Sequence, residues 1–439
     1  MKINSSILIL CIFAFALLTV SCETPPGNNS GPLKKMTPTD EYNYIMSHEF
    51  LVDSITQFSG GGFIPGVEQD DVRENIEKLL NATGYGEPVV NGKTDGNIII
   101  LEASYPVSPG FEKKAEVLSK LASSKANLTG RIRSENLIGY VKLPGLESIL
   151  DAAKDYIDVM IENNEGPSGK ANPMVQLYGA SMLVGINLQE DLFSWMSDEM
   201  GLVSFTVEDN EGKKYASTAF ALGINNKSKA MDGLNKLVQI AVKTSGIAIN
   251  PEKLLTTSKY KSFDMQKFDS QSINQFDLMP DLGSGRLIPS LLYTDDFIFI
   301  GEESEVKQLA DVYDAGGAQG EKATVSGEIK IDDLLRYTKR YRNAAAENMK
   351  KELAGTPEQF EEFNQQMSEL ENYLEGKEFG TLKFSKNFTA TGIDVKLETT
   401  KTSLELVSFL KEWMQSLLDE EKIEVNSSEK DSESEEVEI

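Results

Sequence analysis

The feature that most restricts the fold of this chain is a strand-then-helix pattern that occurs twice. Residues 139–146 and 327–334 carry a glycine, aliphatic residues, a lysine and a leucine at matching positions, 188 residues apart. In each segment the alternation of apolar residues predicts a short strand, and a helical stripe follows it directly. A chain that repeats this pattern is expected to build sheets that are covered by helices.

A second pair of matching segments lies further along the chain. Residues 219–237 align without gaps on residues 392–410, first with alternating apolar residues and then with apolar residues three apart. The first spacing is typical of a strand and the second of a helix. Both matching pairs therefore follow the same order of elements.

A hairpin is predicted before the strand of each of these later segments. Residues 203–207 form one arm of the first hairpin, and residues 209–212 supply its turn. Residues 382–384 form one arm of the second, which is predicted to turn around Lys386 and Asn387.

Two further segments, 97–121 and 287–313, also combine a strand with a following helix, and the second contains a hairpin about Asp295-Asp296. Together these patterns predict an α+β fold. It consists of a duplicated unit of antiparallel strands with helices packed on one face, over about 136–245 and 322–418, plus an N-terminal related segment.

An added helix is predicted to begin at Pro357. Thr356 is suited to cap it, proline favours the first helical position, and Gln359 closes a capping box. The apolar stripe of this helix predicts core packing, and a docking face for a partner helix is the alternative. The stripe consists of Phe360, Phe363, Met367, Leu370 and Tyr373.

The N-terminus has the pattern of an export signal. Lys2 precedes an apolar run over residues 7–20, and Ser21 and Cys22 follow it. A basic start, a short apolar run and a small residue at its end are typical of a secretory signal. The run is shorter than the ~18–20 residues that span a bilayer, which disfavours a retained membrane helix.

The segment Leu18-Thr19-Val20-Ser21-Cys22 resembles the lipobox of bacterial lipoproteins, with Thr19 where that pattern prefers an aliphatic residue. The resemblance implies cleavage before Cys22 and attachment of a lipid to its sulfur. The alternative is an ordinary secreted protein with a chance cysteine. Over residues 90–418 the repeated blocks are similar to bacterial envelope protein families of unknown function, which implies a fold and no chemistry.

The remaining cysteine, Cys11, lies inside the predicted signal and is removed with it. If Cys22 is acylated, no thiol is left for a disulfide, a thiolate metal site or a cysteine nucleophile. His48 is the one histidine of the chain, so histidine metal clusters and histidine pairs are excluded. We therefore predict no catalytic residue, no metal and no cofactor.

Three patterns resemble known motifs without meeting their requirements. Residues 86–94 have five residues between the glycines where a phosphate loop needs four, and we interpret them as a turn between two strands. The Ser-x-x-Lys matches at Ser258 and Ser304 lack companion motifs.

Acidic residues dominate the charge of the chain. The 439 residues include 69 Asp and Glu against 43 Lys and Arg, for a net charge of −26. Phosphate backbones repel such a surface, so nucleic acid is excluded as a partner. Residues 419–439 contribute −8 of this charge, carry no aromatic residue and are typical of a disordered acidic tail.

The sequence predicts a lipid-anchored, non-catalytic envelope protein that binds or scaffolds another macromolecule. It would be exported and held to a bacterial membrane, on its periplasmic or cell-surface face, by the lipid on Cys22. One alternative is a carrier of a hydrophobic ligand in a cavity between sheet and helices, and a carboxylate-based hydrolase is a further alternative. The carrier would use Met160, Met174, Met182, Met196 and Met200 as an adaptable lining.

The predicted organisation has six parts. They are a signal peptide (1–21), a lipidated flexible tether (22–38), an N-terminal α+β segment (39–135), a first α+β repeat with a hairpin-helix extension (136–321), a second α+β repeat with a helical insertion (322–418) and the acidic tail (419–439).

Overall fold

Alternating and continuous apolar runs of this chain form a mixed α/β fold with one twelve-stranded antiparallel sheet. The structure is a computed structural model. It describes residues 84–86, 88–121, 128–133, 135–162, 178–179, 181–208, 211–245, 254–269, 289–313, 323–338, 357–406 and 409–410. The predicted signal peptide, tether and acidic tail, with Cys22 and His48, lie outside the described residues.

Each strand pairs with a neighbour in an antiparallel ladder, in the order β1-β2-β12-β11-β10-β3-β4-β5-β9-β8-β7-β6. The strands are β1 (Val89–Asp95), β2 (Ile98–Pro106), β3 (Leu137–Pro144), β4 (Met196–Glu208), β5 (Lys214–Ile224), β6 (Leu255–Tyr260), β7 (Phe263–Phe268), β8 (Ser290–Tyr293), β9 (Phe297–Gly301), β10 (Val325–Lys330), β11 (Thr381–Thr389) and β12 (Gly392–Thr400).

Helices follow several of the strands. They are α1 (Glu112–Ser119), α2 (Leu146–Glu162), α3 (Lys227–Ser245), α4 (Glu303–Val312) and α5 (Pro357–Leu374). Residues 331–338 and 401–406 are also helical. The predicted strand-then-helix order is confirmed at both places, because β3 leads into α2 and β10 leads into residues 331–338. The predicted start of the added helix at Pro357 is confirmed as well.

Helices cover both faces of the sheet near β8 and β9, so the prediction of helices on one face is wrong there. Ala230 of α3 lies in a core cluster with Tyr293 and Ile298. Leu309 of α4 lies in another cluster together with Phe299. Phe299 and Ile298 are neighbours on β9. Neighbouring residues of a strand point to opposite faces, so α3 and α4 pack on opposite sides.

The reason for this two-sided burial is the continuous apolar sequence of the two strands. All four residues of β8 are buried, and β9 begins with three buried residues in succession. A continuous apolar run is typical of a strand that is covered on both faces, whereas alternation is typical of one-sided cover.

Two other expectations need correction. The second hairpin does not turn at Lys386 and Asn387, since β11 continues to Thr389. Asn387 stays in the strand because it pairs with Asp394 of β12, and its side-chain oxygen also accepts a hydrogen bond from the backbone N–H of Thr324 at 3.2 Å. Residues 89–95 form β1 rather than a turn, because they pair with β2 along their whole length.

One ladder of the sheet joins β10 and β3, the fifth and sixth strands in its order. Tyr140 stands directly opposite Glu328, and Val141 opposite Gly327. A Cβ on Gly139 would lie 2.7 Å from the Glu328 carbonyl oxygen, and one on Gly327 would lie 2.3 Å from the Phe384 ring. Glycine is therefore required on both strands for this close approach.

Strands from all three predicted α+β parts take part in this sheet. β2 of the N-terminal segment pairs with β12, and β9 pairs with β5. The domain boundaries at 135 and 321 stay predictions.

Candidate functional site

A row of polar side chains crosses one face of six neighbouring strands. Ser326 stands opposite Lys142 on one side and Ser385 on the other. Lys396 stands opposite Ser385 and Glu102. Asn91 of β1 completes the set opposite Glu102. We call these six residues the polar row: Lys142, Ser326, Ser385, Lys396, Glu102 and Asn91.

The polar row is buried at one end and open at the other. Lys142 is 3% exposed and Ser326 is fully buried, whereas Glu102 and Lys396 are exposed. Among the residues that the structure describes, the hydroxyl of Ser326 has no hydrogen-bond partner. A buried hydroxyl without a partner is uncommon and is one place where a bound ligand or water gains a hydrogen bond.

The neighbouring row toward the β11–β12 turn is also polar. Asp394 stands opposite Ser104 and Asn387, and the Ser104 hydroxyl donates to Asp394 Oδ1 at 2.7 Å. Residues directly across an antiparallel ladder lie within ~5 Å, so these side chains form one continuous surface. It carries Lys396 beside the two acids Glu102 and Asp394, and charges of both signs suit an extended polar partner better than a single ion.

The opposite side of these same strands is the hydrophobic core. Leu101, Leu397 and Phe384 stand opposite one another in the ladder and are buried. Their neighbours in sequence, Glu102, Lys396 and Ser385, therefore point to the polar side, because side chains alternate along a strand. The alternation in β2 and β12 is visible in the sequence, but the sequence did not reveal that the two strands are neighbours.

A second polar group lies inside the core under α3. The Tyr293 hydroxyl donates to Gln266 Oε1 at 2.6 Å, and Gln266 Nε2 donates to Asn235 Oδ1 at 3.1 Å. Burial raises the pKa of Tyr293 above its ordinary value. The phenol therefore stays protonated and acts as a hydrogen-bond donor that joins β8, β7 and α3.

Several carboxylates are paired with lysines rather than with each other. Hydrogen bonds from lysine hold the pKa of Asp191, Asp264 and Glu303 below the ordinary range. Asp264, for example, lies 2.9 Å from Lys227. A glycosidase acid needs a carboxyl with a raised pKa, and these three are shifted in the opposite direction.

The methionines that were expected to line a cavity occupy different environments. Met196 is buried in the core cluster beside Trp195, whereas Met182 is 67% exposed and Met200 is half-buried. Met174 lies outside the described residues, as does the side chain of Met160. The described methionines thus do not share one lining.

The comparisons with known proteins give no family. No protein family matches the sequence, and no significant match was found among curated proteins or among solved structures. Within the described residues, no group of three or more His, Cys, Asp or Glu could hold a metal ion. The helices of the described part include none that is long and apolar enough to cross a membrane.

Proposed function

We propose that this protein is a lipid-anchored, non-catalytic component of a bacterial envelope that binds another macromolecule through the polar row. The observation that carries the proposal is the polar row itself, which crosses six strands and is exposed at Lys396, Glu102 and Asn91. The lipobox-like segment ending at Cys22 supports the anchor and the export.

The geometry of the row supports an extended polar partner. Glu102 and Lys396 are exposed and of opposite charge, and hydroxyl and amide groups lie beyond them on either side. Such a surface offers donors and acceptors at the strand spacing of about 4.8 Å. A polypeptide or glycan chain that crosses the exposed strands β12, β2 and β1 would meet one side chain of the row at each step.

The duplication is part of the proposal. We infer that residues 136–245 and 322–418 are two copies of one unit. The support is that the two glycine-lysine segments, 188 residues apart in sequence, are the neighbouring strands β3 and β10, with Tyr140 directly opposite Glu328. A two-fold axis through that pair exchanges β4 with β11, β5 with β12 and β9 with β2 in the strand order.

A photo-crosslinking experiment in intact cells tests the function. A photoreactive amino acid replaces Ser104, which is exposed beside the row, and in a matched strain it replaces Lys213 on the β4–β5 turn. We expect a discrete adduct from position 104, none from position 213, and loss of the adduct in Lys396→Glu, because the reversed charge repels the partner.

The same experiment carries an arm for the anchor. Cys22→Ser is expected to move the protein from the membrane fraction to the soluble fraction and to abolish labelling by palmitate, while Cys11→Ser leaves both unchanged. Adducts that persist in Lys396→Glu would contradict binding at the polar row. Palmitate labelling that persists in Cys22→Ser would contradict the anchor.

A further inference from the structure

Three successive apolar side chains stand in solvent between α2 and β4. Met182 is 67% exposed, Leu183 is 90% exposed and Val184 is 46% exposed. We call these three residues the apolar turn. The other large apolar residues that the structure shows as exposed are Val89 and Ile98, each isolated on a strand. Contiguous exposed apolar residues mark interaction sites more often than single ones do.

The backbone holds the apolar turn in this exposed position. The N–H of Gly185 donates to the carbonyl of Met182 at 3.0 Å, and the N–H of Ile186 donates to the carbonyl of Ser181 at 2.8 Å. Gly185 has a φ of +86°, the left-handed conformation that ends many helices. The apolar side chains therefore belong to a helix end with a defined geometry.

The base of the turn is fixed to the core on both sides. Before it, the ring of Tyr178 packs 6.4 Å from the ring of Phe193, and after it Leu188 contacts the same core cluster. The tip is thus presented by a rigid support. A hydrophobic tip on a rigid support can enter an apolar phase without a loss of backbone entropy.

We propose that the apolar turn inserts into the surface of the lipid bilayer that carries the protein. The inference rests on the proposed anchor at Cys22, which confines the body to that surface. The predicted tether of residues 22–38 spans at most ~60 Å when fully extended, which keeps the predicted N-terminal segment that begins at residue 39 close to the lipid. Three exposed apolar side chains gain free energy by leaving water for the acyl region.

The charges around the turn select the kind of lipid surface. Glu147 and Asp151 lie near Tyr178 and raise its pKa together with burial, and Glu190 is exposed just beyond the turn. With a net charge of −26, the chain is repelled by anionic headgroups. The contact therefore suits zwitterionic lipid, and it is apolar rather than electrostatic in origin.

A fluorophore at position 183 tests the insertion directly. The full chain carries Cys11→Ser together with Leu183→Cys, is labelled with an environment-sensitive dye and is reconstituted into phosphatidylcholine vesicles. The matched control places the label at Lys213→Cys, whose side chain is 75% exposed. The intact mass of each sample shows whether Cys22 carries lipid or a second dye.

We expect a blue shift and quenching by brominated lipid at position 183 and neither at position 213. Vesicles with phosphatidylglycerol should give a smaller shift at 183. An unshifted dye at 183 on vesicles that hold the protein would overturn the insertion. A shift that appears without vesicles and grows with protein concentration would overturn the insertion, because it would indicate contact between two copies.

These outcomes are independent of the anchor. A Cys22 without lipid in the mass spectrum contradicts the anchor, whatever the dye reports. A second pair of variants removes an exposed apolar side chain without any label. In chains that also carry Cys22→Ser, so that no anchor holds them, Leu183→Ser should lower binding to vesicles about tenfold, by the apolar area withdrawn from lipid, whereas Val89→Ser should leave it unchanged. Equal retention of the two variants would contradict the proposal.

Discussion

At the scale of single residues, burial decides what the polar side chains of this protein can do. Tyr293 and Gln266 are both fully buried, and each has a hydrogen-bond partner inside the core. Asp264 and Glu303 lie nearer the surface and are held ionised by lysines. Tyr293 and Gln266 thus form a matched neutral pair inside the core, whereas Asp264 and Glu303 are ionised at its margin.

Removal of the Tyr293 hydroxyl should destabilise the fold. Tyr293→Phe keeps the ring but leaves Gln266 Oε1 without its donor inside the core. We expect a loss of about 1–3 kcal/mol in the free energy of unfolding at pH 7, measured by urea denaturation. Tyr373→Phe is the control, because Tyr373 is only half-buried and its ring stacks on Phe409 in either case. Equal losses in the two variants would contradict a role for the hydrogen bond.

The same substitution should alter the response to alkaline pH. Burial raises the pKa of Tyr293 in the folded state above the unfolded value of about 10. Ionisation therefore favours the unfolded chain as the pH rises past about 10, and stability falls there. The fall should be shallower in Tyr293→Phe than in the parent chain.

At the scale of elements, packing of α3 on the chain before β4 depends on one glycine. A Cβ on Gly233 would lie 2.4 Å from Trp195 Nε1 and 2.6 Å from the carbonyl oxygen of Asp191. Those two atoms are joined by a hydrogen bond of 2.7 Å, so neither moves away without breaking it. The helix therefore needs a residue without a side chain at this position.

Gly233→Ala should destabilise the protein although alanine is the better helix former. The overpacking is expected to cost about 1–3 kcal/mol and to exceed the gain of about 1 kcal/mol from helix propensity. Gly179→Ala is the matched control, since Gly179 is helical and has no atom within 4 Å of the added methyl. That variant should be slightly stabilised. Opposite signs in urea denaturation are the result that checks this explanation.

Sequence patterns predicted elements well where the local signal agreed with the long-range pairing. The hairpin about Asp295-Asp296 was found because a polar pair separates two apolar runs, and β8 and β9 flank it in the structure. The hairpin of β6 and β7 was missed. Its turn passes through Lys261 at a φ of +52°, where glycine or asparagine would have been the visible signal.

The polar row could be predicted only in part. The alternation of polar residues in β2 and β12 is a local signal, and each strand was recognisable from it. That Lys396 lies between Glu102 and Ser385 depends on pairing between distant segments, and no local pattern specifies such a partner. The continuous apolar run of β9 indicates burial on both faces. In the sequence alone it served only to predict one arm of a hairpin.

At the scale of the whole molecule, the sheet pairs strands that are far apart in the sequence. β12 pairs with β2, β10 with β3, and β9 with β5. A separate body made of residues 322–418 would lose the partners of β10 and of β12. The proposed copies are thus repeats in sequence, and their strands pair with each other within one sheet.

The described body should therefore unfold in one cooperative transition. Urea unfolding followed by far-ultraviolet circular dichroism and by tryptophan fluorescence, with Trp195 in the core, should give coincident curves. Gly327→Ala, which brings a Cβ on β10 against the Phe384 ring, should shift both curves together. Two separated transitions would indicate that the halves are stable on their own.

The pairing of β2 with β12 also makes the closing of the sheet a late event in folding. Ala103 stands opposite Val395, so β2 must wait for a strand near the other end of the described residues. Until then β2 has only β1 beside it, and its other edge is open to wrong partners. Contacts of such long sequence separation slow folding. The unfolded chain is thus expected to depend on chaperones until β12 is available to pair with β2.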